Sequence, residues 1–243
     1  MRIAVTGTNG IGKSTFIRDF LTEWPDFKTP TTTYRNVVKN RHASKITEAK
    51  QRKILNHMID TMKTYGAKDN VIYDRCPVDN MVYTLLANSQ GLISDKFVEE
   101  SAKRMKESMR MIDLLLFIPI TKTDQINLTS TLSARDGIDE DYAKGVDHIF
   151  KALFRQWEFK ESIFIDSADK PHVIEIFGTR EERLSISRLY VTPDGETYDQ
   201  GNIITPSELD ELEKLNALVT EQQTLVDIKT SNIDFLNSEE GKN

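Results

Sequence analysis

The sequence predicts an α/β fold of three layers, a parallel five-stranded sheet covered by helices on both faces, with a hairpin and a long helix appended. Three observations predict it. Apolar runs of strand length alternate with amphipathic segments across residues 1–188. Leu114-Leu115-Leu116-Phe117-Ile118 is apolar at every position, as a strand buried on both faces requires. The first run, Ile3-Ala4-Val5, leads through a glycine-rich loop into an amphipathic segment, which reads as strand, loop and helix.

In that loop Gly7-Thr8-Asn9-Gly10-Ile11-Gly12-Lys13-Ser14 follows the Gly-x-x-x-x-Gly-Lys-Ser spacing. Its glycines let successive N–H groups turn inward around the phosphates of a nucleoside triphosphate. Lys13 is expected to stand exposed toward the terminal phosphates and Ser14 to ligate Mg2+. The helix opening at Lys13, with Thr15 in its first turn, adds its unpaired N–H groups to the same anion site. Phe16, Ile17, Phe20, Leu21 and Trp24 recur at helical spacing, and Trp24-Pro25-Asp26 ends that helix.

A second strand is expected around Phe27–Thr31, followed by a long polar helix with Ile46, Ile54, Leu55, Met58, Ile59, Met62 and Tyr65 on its apolar face and Gly66 as its cap. Val71-Ile72-Tyr73-Asp74-Arg75 is a third strand ending in two charges, and Pro77 suits the first turn of a helix reaching Gln90-Gly91. Ser94 caps the next helix, to about Met111. Thr121–Gly137 is polar and aperiodic and reads as a lid carrying Arg135. A helix over 140–157 precedes the fifth strand, Val173–Phe177, and Thr179-x-x-Glu182 is a capping box for the helix after it. Ligands are expected beyond the carboxyl ends of the strands, where the phosphate loop, Asp74-Arg75 and Gly178-Thr179 converge.

The tail differs in kind. Pro193-Asp194-Gly195 marks a hairpin turn, and Thr205-Pro206-Ser207-Glu208 opens a helix. Its Leu212, Leu215, Val219, Val226, Ile233 and Leu236 form a heptad seam broken by Gln222 and Lys229. The seam fits either a helix packed on the body or a homo-oligomer contact. The division expected is therefore an α/β body, 1–188, and a hairpin and helical tail, 189–243.

With 243 residues and 38% hydrophobic content the chain can bury one good core with an appendage, but two full domains would be cramped. Net charge is −6, but residues 199–243 hold 10 acidic and 3 basic side chains, so the body carries 28 acidic against 29 basic. Within the body, Lys28–Lys68 holds ten Lys or Arg against two acids. One cysteine, Cys76, excludes an intrachain disulfide and a cysteine-type zinc site and suits a reducing compartment. With no signal-like or membrane-spanning run, a cytoplasmic protein with no membrane partner is expected.

These motifs, in this order, resemble the P-loop nucleoside and nucleotide kinases, in particular the thymidylate-kinase-like group with its phage relatives and the nicotinamide-riboside-type kinases. The likeness spans residues 1–188 and rests on GTNGIGKST, VIYDRCPVDNMVYT, the lid at Arg135, and Phe177–Arg183. It implies ATP and Mg2+ as cofactors. ATP contacts are then expected from Gly7 to Thr15 and at Thr179. Lys13, Mg2+ and the lid Arg135 would surround the migrating phosphoryl group and Arg75 would grip the acceptor's phosphate, while Asp74 takes the acceptor's proton or holds Mg2+ through water. Tyr34 and Arg35, with Arg75, are candidates for acceptor contacts. One departure is plain: Thr29-Pro30-Thr31-Thr32-Thr33 has no acid where such kinases place a Glu-Pro pair. Thymidine specificity therefore does not carry over.

The basic segment favours an anionic acceptor, so a free pyrimidine deoxynucleotide is expected first. A modified pyrimidine within DNA, such as 5-hydroxymethyluracil, is the alternative partner, and an ATPase or sensor without acceptor is the third reading.

Overall fold

β-Branched and leucine-rich stretches pair into a parallel sheet in the computed structural model, which describes residues 1–37, 46–122, 140–157 and 162–192. The strands are β1 (Arg2–Thr6), β2 (Val71–Asp74), β3 (Leu114–Phe117) and β4 (His172–Glu175), in the order β2-β1-β3-β4. Val5 lies opposite Asp74 on one side and Leu116 on the other, so β1 is central and delivers its loop between β2 and β3. Alternation along the strands splits the core in two. Ile3, Val5, Leu114 and Leu116 face one layer of helices; Ala4, Tyr73, Leu115 and Phe117 face the other.

The first layer holds α1 (Lys13–Glu23), whose Phe16, Ile17 and Phe20 are buried. Phe20 stacks on Trp24 at 4.3 Å between ring centroids and meets Phe27 edge-on at 5.1 Å. The short α2 (Tyr34–Val37), which the sequence did not announce, follows. The second layer begins with α3 (Glu48–Lys63), capped by the Thr47 hydroxyl, which accepts from the Lys50 N–H at 3.3 Å. Pro77 occupies the first turn of α4 (Pro77–Ser89), and Ser94 caps α5 (Asp95–Ser108), which tightens to a 3-10 turn over Met109–Met111. Val146, Phe150 and Leu153 of α6 (Glu140–Gln156) complete that layer. The last helix, α7 (Arg180–Arg188), packs beside α1 and carries the expected Thr179–Glu182 capping box.

Four expectations need correction or fall outside the described residues. The strand around Phe27–Thr31 shrinks to one bridge, with the Lys28 N–H on Asn70 O and the Ile72 N–H on Lys28 O, both at 2.9 Å. The next residue whose N–H would point to the same neighbour is Pro30, which has none. The sheet thus has four strands among the described residues. Gly66 is not a left-handed cap: α3 ends at Lys63, and Asp69 takes the Gly66 N–H at 2.7 Å instead. The last strand starts one residue earlier than expected and ends at Glu175, and Phe177 is exposed. The 123–139 part of the lid, with Arg135, and the tail from 193 lie outside the described residues, all of which fall within the unit Met1–Thr197.

Candidate active site

At the carboxyl end of β1 the chain turns with positive φ at Gly7, Gly10 and Gly12 (140°, 80° and 96°) and enters α1. A Cβ on Gly7 would stand 2.6 Å from the Ile118 carbonyl oxygen, so the close passage of the loop over the end of β3 requires glycine there. Gly12 caps α1 with no side-chain hydrogen bond, and no acid sits in the first turn, so neither satisfies the first N–H groups. This is the anion cradle the sequence predicted.

Lys13 departs from expectation in one respect. It is buried, and its ammonium donates to Gly7 O at 2.8 Å and Thr8 O at 2.5 Å, closing the loop upon itself. Of the other loop residues, Thr8 is buried and Thr15 is half-buried. Ile11 is part of the core, and its carbonyl accepts from Arg183 Nη1 at 3.0 Å.

Ser14 is exposed, and its hydroxyl donates to Asp74 Oδ2 at 3.2 Å across from the end of β2. Asp74 Oδ1 is buried with no hydrogen-bond partner among the described residues. A hydroxyl beside a carboxylate with an unused oxygen is a donor set that suits a hydrated divalent cation. Among the described residues no group of three or more His, Cys, Asp or Glu could hold a metal alone, so Mg2+ here would depend on Ser14, Asp74 and the nucleotide's phosphates together.

Arg75 follows at φ 79°, with its N–H on Val5 O at 3.0 Å. Its guanidinium is buried, bonded to Asp79 Oδ1 at 2.9 Å and to Asn9 Oδ1, and lies between the rings of Tyr34 and Tyr83 at 5.4 and 5.3 Å. Burial opposes that charge, yet Tyr83, Asp79, Tyr34 and Asp74 together hold the Arg75 pKa well above the ordinary arginine value. Asp79 was missed in the sequence. It is buried and accepts from the Thr6 hydroxyl at 2.8 Å and the Cys76 N–H at 3.0 Å besides Arg75. Burial raises its pKa, against the pull of Arg75 and Lys13. The signal was present: an acid two residues after a first-turn proline sits where it can cap the helix, and it lies four residues from an arginine. Arg183 was quoted within a motif, but its reach to the loop carbonyl was not foreseen.

Beside Asp74 and Arg75 opens a cleft. Thr29, Pro30, Thr32, Thr33 and Tyr34 form one wall, His57, Met58, Thr61 and Met62 of α3 the other, and Tyr73 part of the floor. The chain that Pro30 keeps out of the sheet is what forms the first wall. No described lysine or arginine of the basic segment lines this cleft, where Arg75 is the one arginine or lysine among the described lining residues. Arg52 is turned to Glu100 at 2.9 Å and Lys63 to Asp60 at 3.5 Å, because α3 spends its inner face on apolar and neutral polar groups. The expectation that the +8 segment faces the acceptor is therefore corrected for these residues. Tyr34 lines the cleft, whereas the Arg35 side chain lies outside the described part. Thr179 is exposed and serves as a helix cap, accepting from the Glu182 N–H at 3.3 Å while its own N–H donates to Glu182 Oε2 at 2.6 Å.

Comparison with known proteins follows the same lines. The AAA domain family matches residues 2–169. A search of curated proteins finds no match. Among solved structures the chain is similar to deoxyadenosine kinase from M. mycoides with products dCMP and a flexible dCDP bound (TM-score 0.56, 13% identity, 77% of this chain and 95% of that one). The dATP-bound form of that enzyme gives a TM-score of 0.56 at 13% identity, over 77% and 97% of the two chains. The NadR protein in complex with NR gives 0.54 at 12% identity, over 77% of this chain and 49% of that one. With the phosphate loop, the sheet order and this family match in place, the chain belongs to the AAA domain family and has the P-loop nucleoside and nucleotide kinase fold.

Proposed function

We propose that the protein is a phosphotransferase that moves the γ-phosphoryl group of ATP to a hydroxyl of a nucleoside or free nucleotide held in the cleft. One observation carries this reading: the cleft ends at Asp74, whose carboxylate meets Ser14 of the phosphate loop, so donor and acceptor sites share one wall. The likeness to a deoxyadenosine kinase agrees with a deoxynucleoside-type acceptor.

Arriving phosphates draw Lys13 from the Gly7 and Thr8 carbonyls, and the loop N–H groups that α1 leaves unpaired receive them. Ser14 and Asp74 would hold Mg2+, which would supply charge neutralisation at the phosphates. The acceptor hydroxyl gives its proton to Asp74, its oxygen bonds to phosphorus, and the bond from phosphorus to the ADP oxygen breaks. Arg75 flanks the migrating group, and Arg135, outside the described residues, completes the clamp in this reading.

The retreat of Arg52 and Lys63 from the cleft favours a small acceptor carrying at most one phosphate over a pyrimidine embedded in DNA. A cleft that opens beside Asp74, next to the phosphate loop, likewise favours a transferase over an ATPase or sensor. The test is transfer of label from γ-labelled ATP to a panel of nucleosides, nucleoside monophosphates and DNAs. A labelled nucleoside or nucleotide is expected, with Lys13→Ala lowering the rate by roughly 100-fold or more, the scale of losing one charge at the transferring phosphoryl. Release of inorganic phosphate with no labelled acceptor would replace this reading with hydrolysis.

A further inference from the structure

We propose that Asp79 is a positioning residue, which clamps Arg75 as a bridge between the phosphate loop and the acceptor cleft, so that the cleft senses nucleotide on the loop. Asp79 touches neither site directly. It gathers three donors from three elements: the Thr6 hydroxyl at the end of β1, the Cys76 N–H at the start of α4, and Arg75 Nη1 after β2, at 2.8, 3.0 and 2.9 Å. Thr6 is the residue before Gly7, so the carboxylate is anchored at the root of the phosphate loop. Arg75 then bonds Asn9 within the loop. The same arginine lines the cleft, and its buried Nε has no partner among the described residues. A guanidinium that is shared between loop and cleft, with its Nε unused, cannot shift at one end without shifting at the other.

The backbone supports the same reading. Arg75 is the one non-glycine residue with positive φ among the described residues, a conformation that L residues disfavour. Its own N–H on Val5 O and the two Asp79 contacts flanking it hold that turn. The guanidinium also lies within cation–π distance of the Tyr34 and Tyr83 rings, at 5.4 and 5.3 Å, which adds to its restraint. Tyr34 also lines the cleft, which gives the acceptor a second contact with the clamped group.

The inference rests on nucleotide binding at the loop but not on the identity of the acceptor. The experiment is arginine side-chain NMR of the full chain, following the Arg75 Nε–H signal with and without MgADP. In the wild type a slowly exchanging signal is expected, and MgADP should move it. Asp79→Asn should speed exchange roughly tenfold or more, the loss of a hydrogen bond between charged groups, and abolish the MgADP response. Asn9→Ala leaves Asp79 in place and should abolish the response alone, so it decides the bridge even where Asp79→Asn does not fold. Signals in both variants that exchange and respond as in the wild type would overturn the proposal. If the wild type binds no MgADP, the nucleotide reading falls by itself, and ligand-free exchange in Asp79→Asn still decides the clamp.

Discussion

Replacing Gly7 by alanine asks the structure for two things it lacks. An L residue at φ 140° lies in sparsely allowed backbone space, at a cost of about 1–3 kcal/mol. The new Cβ would also sit 2.6 Å from Ile118 O, which belongs to backbone and not to a side chain that can swing aside. Relief means moving the loop or the end of β3, where the Ile118 N–H donates to Thr6 O at 3.0 Å, a bond with a net value of about 1 kcal/mol. The combined loss is about 3 kcal/mol, which for a domain of this size lowers the melting temperature by about 6–12 °C. Gly91→Ala is the matched control. Gly91 also has positive φ, 71°, but nothing lies within 4 Å of its added Cβ, so only the left-handed cost of about 1 kcal/mol remains. Thermal unfolding of the two variants beside the wild type, by circular dichroism at one pH, reads the difference. If Gly7→Ala melts no lower than Gly91→Ala, the contact with Ile118 is not what requires glycine in the loop.

Asp74→Asn is expected to lower turnover by roughly 100-fold with little change in ATP affinity, since the amide keeps a contact to Ser14 but accepts no proton; a wild-type rate in a steady-state assay would make Asp74 structural. The Asp19–Arg180 pair between α1 and α7 gives a pH dependence. The Arg180 hydrogen bond holds the Asp19 carboxyl below its ordinary value, so the pair's contribution is present above the unfolded carboxylate range and is lost as pH falls through the depressed value. The wild type should therefore melt above Asp19→Asn at neutral pH and converge on it in strong acid; a constant gap at every pH would rule out the charge as its source.

Element order, the phosphate loop and the two-faced core were legible in the sequence because each is written locally. Buried strands show as unbroken apolar runs, the loop as fixed glycine spacing, and the helix starts as Pro77, Ser94 and Thr179. What escaped was set by tertiary partners. A strand pattern over 27–31 carries no sign that Pro30 falls on the donor side of the ladder. Charge counted along Lys28–Lys68 is silent on which face of α3 each lysine takes, and its apolar residues claim the inner face first. Asp79 looked like an ordinary helix-start acid with an arginine four residues before it, because only folding brings the Thr6 hydroxyl of β1 onto the same carboxylate.

The single bridge at Lys28 also bears on how copies of this protein meet one another. An open sheet margin with a regular row of donors and acceptors is a template for a strand from a neighbouring molecule. Along β2 that margin is occupied by Lys28 for one residue and then withdrawn, since Pro30 offers no donor and the backbone leaves the sheet plane. A charged side chain followed by an imino acid makes this margin a poor nucleus for intermolecular β-pairing. The concentration at which the protein stays dispersed thus depends in part on the same proline that opens room for a ligand.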